Sequence, residues 1–388
     1  MRGSTPVRCP AIGHPRIALT DPALLDPLLA RLTEREPVTA GRTFPLGTLH
    51  ADGRVDLCKQ GLGPAGAARL MPVAARSPHA VHVLLGTNAV GDAGARSVAD
   101  ALTEGHARTE RHGPTEGHGL TTLYLGCNRI GPHGAAALAD RLAGDGTVRA
   151  LWLKRNPLGD AGVRALADCL SVNTTLRTLD LVNTGITSRG LTALVETLTA
   201  RPRPVERLFL GGNGLTARDA PLLAALLRDA GVRELYLSAN HLGDEGAAVL
   251  AAAADPARPV RLGLGGNGIG PAGARALADA LGGIEALDLG RPASERALGA
   301  PPNGTGDAGA GALAAALPGS PLRRLELRHT GLTGRGAKTL LQAADGGVLE
   351  HVGLGPGLPR KVKRAFALLL RPASGSHPDL RAVRSAYR

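Results

Sequence analysis

Three successive hexads, beginning at Thr103, Thr109 and Thr115, each carry Glu in the second place and His in the fourth. His106, His112 and His118, with Glu104, Glu110 and Glu116, are side chains that zinc or nickel accepts as ligands. A metal site also needs a scaffold that fixes its ligands, and Gly105, Gly113, Pro114, Gly117 and Gly119 read as a flexible loop. Duplication slippage in a GC-rich gene leaves the same small exact repeat, so no metal is assigned. Gly263, Gly265 and Gly268 spell G-x-G-x-x-G, a phosphate-loop spacing. That fingerprint requires a Rossmann unit around it, whereas Gly268 follows Asn267 in a motif that recurs along the chain. There is no G-x-x-x-x-G-K-[ST]. No Ser/His/Asp or Cys/His set falls at matching places in adjacent copies of the motif. The residues call for no catalytic group and no cofactor.

Binding chemistry has a clearer signal. The chain has only seven aromatic residues, and four of them, Tyr124, Trp152, Phe209 and Tyr236, occupy the same place in successive copies of the motif. Eleven such places would hold about 0.2 aromatics if the seven were scattered at random over 388 residues. Asp180 takes that place between Trp152 and Phe209, and Lys154, Arg155, Arg207 and Glu234 flank it. Aromatics and arginine are the residues that anchor protein interfaces. Aromatics also favour strands for packing alone, but that does not explain why they avoid the other copies.

These side chains sit on a motif of about 28 residues, L-x-L-x-x-N-x-[LIV]-G-x-x-G. Its Asn falls at Asn88, Asn128, Asn156, Asn213, Asn240, Asn267 and Asn303, with Gln60, Thr184 and Thr330 in weaker copies. In the copy at 150–170, Leu151 and Leu153 alternate with Trp152 and Lys154, as a half-buried strand requires. Asn156 can satisfy backbone groups where the chain turns. An Ala/Leu helix then runs to Leu170. Asp92, Asp160, Asp244 and Asp307 stand where a helix N-cap is wanted. A fixed period of this size marks a solenoid. Parallel strands lie about 4.8 Å apart and helices 8–10 Å apart, so eleven stacked copies are expected to curve. The aromatic column then lies on the concave face as a patch about 20 Å wide.

The expected organisation is an N-terminal cap over 1–53, repeats over 54–358, a C-terminal cap helix over 359–370 and a basic tail over 371–388. Asp21 to Thr33 reads as an amphipathic capping helix. Two copies carry insertions, near 103–119 and 290–302, expected as loops. Residues 359–388 hold eight basic side chains against Asp379 alone, which is +7 of the chain's +12. Such a tail could hold nucleic acid by counterion release, although a solvated end explains the same composition. Pro372, Gly375 and Pro378 read as helix breakers, so 371–388 is expected to pack little against the repeats. Cys9, Cys58, Cys127 and Cys169 show no CxxC spacing. Cys58 and Cys127 are expected about 10 Å apart, beyond disulfide reach, so reduced thiols are expected. The N-terminal residues lack the apolar core of a signal peptide. No apolar stretch approaches the roughly 20 residues of a membrane span. Arginine outnumbers lysine 40 to 5, and Ala, Gly and Pro are abundant, as in a GC-rich bacterial genome.

The period, together with copies such as LYLGCNRIGPHGAAALADRL at 123–142, resembles the ribonuclease-inhibitor-like subfamily of leucine-rich repeat proteins. The resemblance covers about residues 54–358 and implies an α/β horseshoe, with a parallel β-sheet on the concave face and α-helices on the convex face. It also implies a bacterial, cytoplasmic, non-catalytic scaffold that binds a protein partner on the concave face. Tyr124, Trp152, Lys154, Arg155, Asp180, Arg207, Phe209 and Tyr236 are the expected contact residues. Members of that group bind unrelated partners, so the partner itself is not read. Regulation of a small GTPase or nuclease, and nucleic-acid association through the tail, are the alternatives.

Overall fold

A computed structural model describes residues 17–112, 119–292 and 295–387. The contacts divide them into two compact units, 17–205 with 376–387, and 206–375. In the first unit the strands are β1 (Arg42–Thr43), β2 (Thr48–Leu49), β3 (Arg54–Asp56), β4 (His82–Leu84), β5 (Thr122–Tyr124), β6 (Ala150–Trp152) and β7 (Thr178–Asp180). In the second they are β8 (Arg207–Phe209), β9 (Glu234–Tyr236), β10 (Val260–Gly263), β11 (Ile284–Asp288), β12 (Arg324–Glu326) and β13 (His351–Gly353). Strands β3 to β7 pair in parallel, as do β8 to β13. A helix such as Gly159–Val172 returns the chain between consecutive strands. This is the α/β solenoid of leucine-rich repeats. The inward leucines make the core: Leu151, Leu153, Leu179 and Leu181 are fully buried.

The buried Asn column joins repeats rather than only turning the chain. Asn156 Nδ2 donates to Leu125 O and Leu153 O, each at 2.9 Å. Its Oδ1 accepts from Asn128 N at 2.8 Å and Ile130 N at 3.0 Å. Asn240 does the same in the second unit, for Leu210, Leu237, Asn213 and Leu215. Where threonine replaces Asn, one bond to the local strand is kept: Thr330 Oγ1 donates to Leu327 O at 2.8 Å.

The aspartates do not cap their own helices. Asp160 lies inside the first turn of Gly159–Val172, and its Oδ1 accepts from Thr187 N at 2.7 Å, where the next helix begins. Asp92 serves Gly131 N, and Asp244 serves Gly270 N and Gly273 N in the same way. This explains the last glycine of the motif. A Cβ on Gly190 would stand 2.5 Å from Asp160 Oδ1, and one on Gly273 2.6 Å from Asp244 Oδ1.

At the N-terminal end, Asp21 accepts from Ala23 N at 2.9 Å, and the helix Asp26–Thr33 buries Leu28 and Leu32. The hairpin β1–β2 then pairs antiparallel with β3, a pairing that the sequence did not suggest. Two expectations need correction. The first insertion is not a loop from its start, because the helix Gly91–His112 continues into it. Residues 113–118 and the side chains of the three hexads lie outside the described residues. Cys127 is disulfide-bonded, against the expectation of thiols throughout, while Cys58 and Cys169 are free. The second insertion contains a short helix, Glu295–Leu298. The helix Arg360–Leu369 buries Val362 and Phe366.

Candidate functional site

Side chains alternate along each strand, so the residues at either end of a three-residue strand point away from the helices. In the first unit this outward face has two columns. One runs Arg54, His82, Thr122, Ala150, Thr178, and the other Asp56, Leu84, Tyr124, Trp152, Asp180. The first column is short in its middle and the second is bulky, so together they form a step. Tyr124 and Trp152 are adjacent in register, with ring centroids 6.4 Å apart and planes at 42°. Lys154 Nζ stands 5.6 Å from the centre of the Tyr124 ring. Arg155 sits in the turn before Asn156 with a left-handed φ of 56°.

This face is not open. Trp152 is 1% exposed, Tyr124 4% and Asp180 1%, and Thr122, Ala150 and Thr178 are fully buried. The expectation of solvent-facing aromatics is therefore overturned here. The segment expected to pack little lies against Thr178 and Arg54 of this face. Pro378 begins the helix Pro378–Ala382 instead of breaking one, because a first-turn proline has no N–H to leave unpaired. Asp379 accepts from Thr178 Oγ1 at 2.7 Å, and Arg54 Nη1 donates to Ser385 Oγ at 3.3 Å. Those two anchors stand on β7 and β3, four strand steps or about 19 Å apart. Between them Ala382 and Val383 are buried. Burial holds the His82 imidazole below its usual value, against the opposing pull of Asp52 and Asp379. Its Nδ1 lies 2.9 Å from Thr122 Oγ1.

Burial pushes the Asp180 carboxyl up to about 6, although Lys154 and the Val182 N–H pull the other way. Burial likewise pushes Lys154 down to about 8. The folded carboxyl thus holds its proton more tightly than the unfolded one. As pH rises from about 4 through 6 the unfolded chain ionises first, and stability falls by up to about 3 kcal/mol. Asp180→Asn keeps the Oδ1 that accepts from Val182 N. We expect it to raise the melting temperature at pH 7.5 and to leave it unchanged at pH 4. A lower melting temperature at pH 7.5 would mean that attraction to Lys154 outweighs the burial cost.

In the second unit Phe209 and Tyr236 stack at 4.4 Å with planes 10° apart, and both are half-exposed. Arg207, expected as a free contact residue, is instead 7% exposed and ion-paired. It starts a chain of alternating charges: Arg207 to Glu234 at 3.0 Å, Glu234 to Arg261 at 3.6 Å, and Arg261 to Glu285 at 3.0 Å. The chain continues from Glu285 to Arg323 at 3.6 Å and from Arg323 to Glu350 at 2.7 Å. Glu285 enters it through a register shift between β10 and β11. Glu350 also accepts from Ser374 N at 2.8 Å and Ser374 Oγ at 2.6 Å. The Ser374 hydroxyl contributes most to holding its carboxyl down at about 2. Tyr236 donates to Glu234 at 2.8 Å. Arg207, Glu234 and Arg261 share one column and were legible in the sequence, whereas Glu285, Arg323 and Glu350 lie one place before it. Among the described residues no cluster of three or more His, Cys, Asp or Glu is arranged to hold a metal ion. No helix among them is long and apolar enough to cross a membrane.

The leucine-rich repeat family model matches residues 119–139, 147–167, 172–195, 232–251 and 260–278. Curated protein sequences give no match. Among solved structures, a chain of the yeast Rad7–Elc1 complex aligns with a TM-score of 0.49 and 16% identity, over 78% of this chain and 68% of that one. An internalin of Listeria monocytogenes aligns with a TM-score of 0.38 and 14% identity, over 92% of this chain and 94% of that one. Five matched repeats, and the same strand–turn–helix unit continuing on either side of them, give the chain a leucine-rich repeat fold.

Proposed function

We propose that the chain is a non-catalytic scaffold that holds a protein partner on the outward face of its strands. The observation that carries this reading is the half-exposed Phe209–Tyr236 stack, placed in the one column where the chain concentrates its aromatics. Rigid aromatic groups with a polar tip are the usual anchors of such surfaces. Phe209 and Tyr236 receive the partner directly, with Arg207 held beside them by Glu234. Tyr124, Trp152, Lys154, Arg155 and Asp180 belong to the same face of the first unit and take part once the segment docked on that face is displaced. A photo-crosslinking residue at position 236 should capture a discrete protein from native lysate. The same residue in place of Arg164, exposed on a helix, should capture none. Capture from position 164 and not from 236 would refute the reading.

A further inference from the structure

Residues 376–387 dock on Thr178 and Arg54 of the first unit's strand face, and their fit has the character of a ligand. We infer that residues 376–387 are a built-in competitor for the strand face of the first unit, and that this face takes short helical segments of the same chemistry. Such a segment carries an acid near its N-terminus, small apolar residues one turn later and a hydroxyl beyond. This rests on the scaffold reading above, and it assigns that face its ligand class.

The step between the two outward columns is shaped for such a helix. Thr122, Ala150 and Thr178 supply a low floor, and Leu84, Tyr124 and Trp152 a bulky wall. Small residues on the segment, Ala382 and Val383, are the ones it buries. Polar ends fix its register, Asp379 on Thr178 and Ser385 on Arg54. His377 begins the turn by accepting from Asp379 N at 3.2 Å. Arg381 and Arg384 stay exposed, so the segment's positive charge is spent on solvent and not on the face.

A five-residue helix is not stable on its own in water, so the face supplies the order of this one. A segment this short docks weakly, with the Thr178 and Arg54 bonds and the buried Ala382 and Val383 among its contacts. A tether through the exposed residues 371–376 makes such weak docking effective, because it raises the local concentration to the millimolar range. A free segment with more buried surface would displace it.

The chain's single tryptophan, Trp152, stands on the same strand face, one strand from Thr178, and serves as the reporter. In the full-length protein, Val383→Asp places a charge where 1% exposure is now found. It should shift Trp152 emission to longer wavelength with the far-UV circular dichroism retained. A labelled peptide of residues 376–388 should then bind this variant at least about tenfold more tightly than the parent, whose face is occupied. The same peptide carrying Val383→Asp should bind neither. Should that variant fail to fold, Asp379→Ala, which loses the Thr178 contact, should move both readouts in the same direction. Unchanged emission together with equal peptide affinity in variant and parent would overturn the inference. Crosslinking from position 236 with that null result would leave the scaffold reading standing and remove this one. Peptide capture by the variant with no crosslink in lysate would support this inference and remove the scaffold reading.

Discussion

Asn156→Ala is expected to cost the first unit about 4 kcal/mol, measured from the urea midpoint of the transition that Trp152 fluorescence reports. The side chain is fully buried. It satisfies two carbonyls, of Leu125 and Leu153, and two N–H groups, of Asn128 and Ile130. Alanine leaves all four without that partner in a dry interior. Each unsatisfied group costs about 1–3 kcal/mol, and relaxation recovers part of the total. Thr330→Ala in the second unit is the control. It deletes one bond to Leu327 O and should cost about 1 kcal/mol by circular dichroism. Equal losses from the two substitutions would show that the Asn contacts do not join one repeat to the next.

Trp152→Ala should also be severe, at about 3–5 kcal/mol. Read from the sequence, Trp152 is a surface anchor whose truncation should keep the melting temperature within a few degrees. With 1% exposure it is instead the largest fully buried side chain, so truncation opens a cavity in the first unit. Trp152→Phe should lose less, because most of the volume stays filled. Arg164→Ala, on an exposed helical position, should stay within about 0.5 kcal/mol. Thermal melts followed in the far ultraviolet check all three. A melting temperature for Trp152→Ala within a degree of the parent would mean that the ring is not buried in solution.

The same residue shows what a sequence can and cannot carry. Trp152's column was legible because strand alternation is a local rule, and it correctly placed the ring opposite the helix side. What packs on the strand face beside it includes residues about 200 positions away, as in the Thr178–Asp379 pair. No local pattern announces such a contact. Pro378 pointed the wrong way because proline both ends and begins helices. Asp160 was misread for a related reason. It has the spacing of a cap for its own helix, and only the stacking of repeats brings it to Thr187. Gly190 held the clue, since a Cβ there would collide with that carboxylate. The repeat period was fully legible, because one buried hydrogen-bonding geometry recurs at each Asn.

The forward reach of the aspartates and the backward reach of the asparagines bear on how such an array can grow. Asp160 supplies the next repeat, while Asn156 supplies the previous one. Where both residues are present, a joint between repeats is therefore a plug and socket. A recombination event that copies one whole period inserts a piece whose two ends already match their new neighbours. A crossover that copies a fraction of a period leaves one socket empty, with backbone groups stranded in the core. On this view the spacings of 27 to 29 residues between Asn128 and Asn267 record which genetic accidents the joints could accept. Extra residues survive only where they lengthen a helix or a turn between joints, as the continuation of Gly91–His112 does before Asp92 meets Gly131.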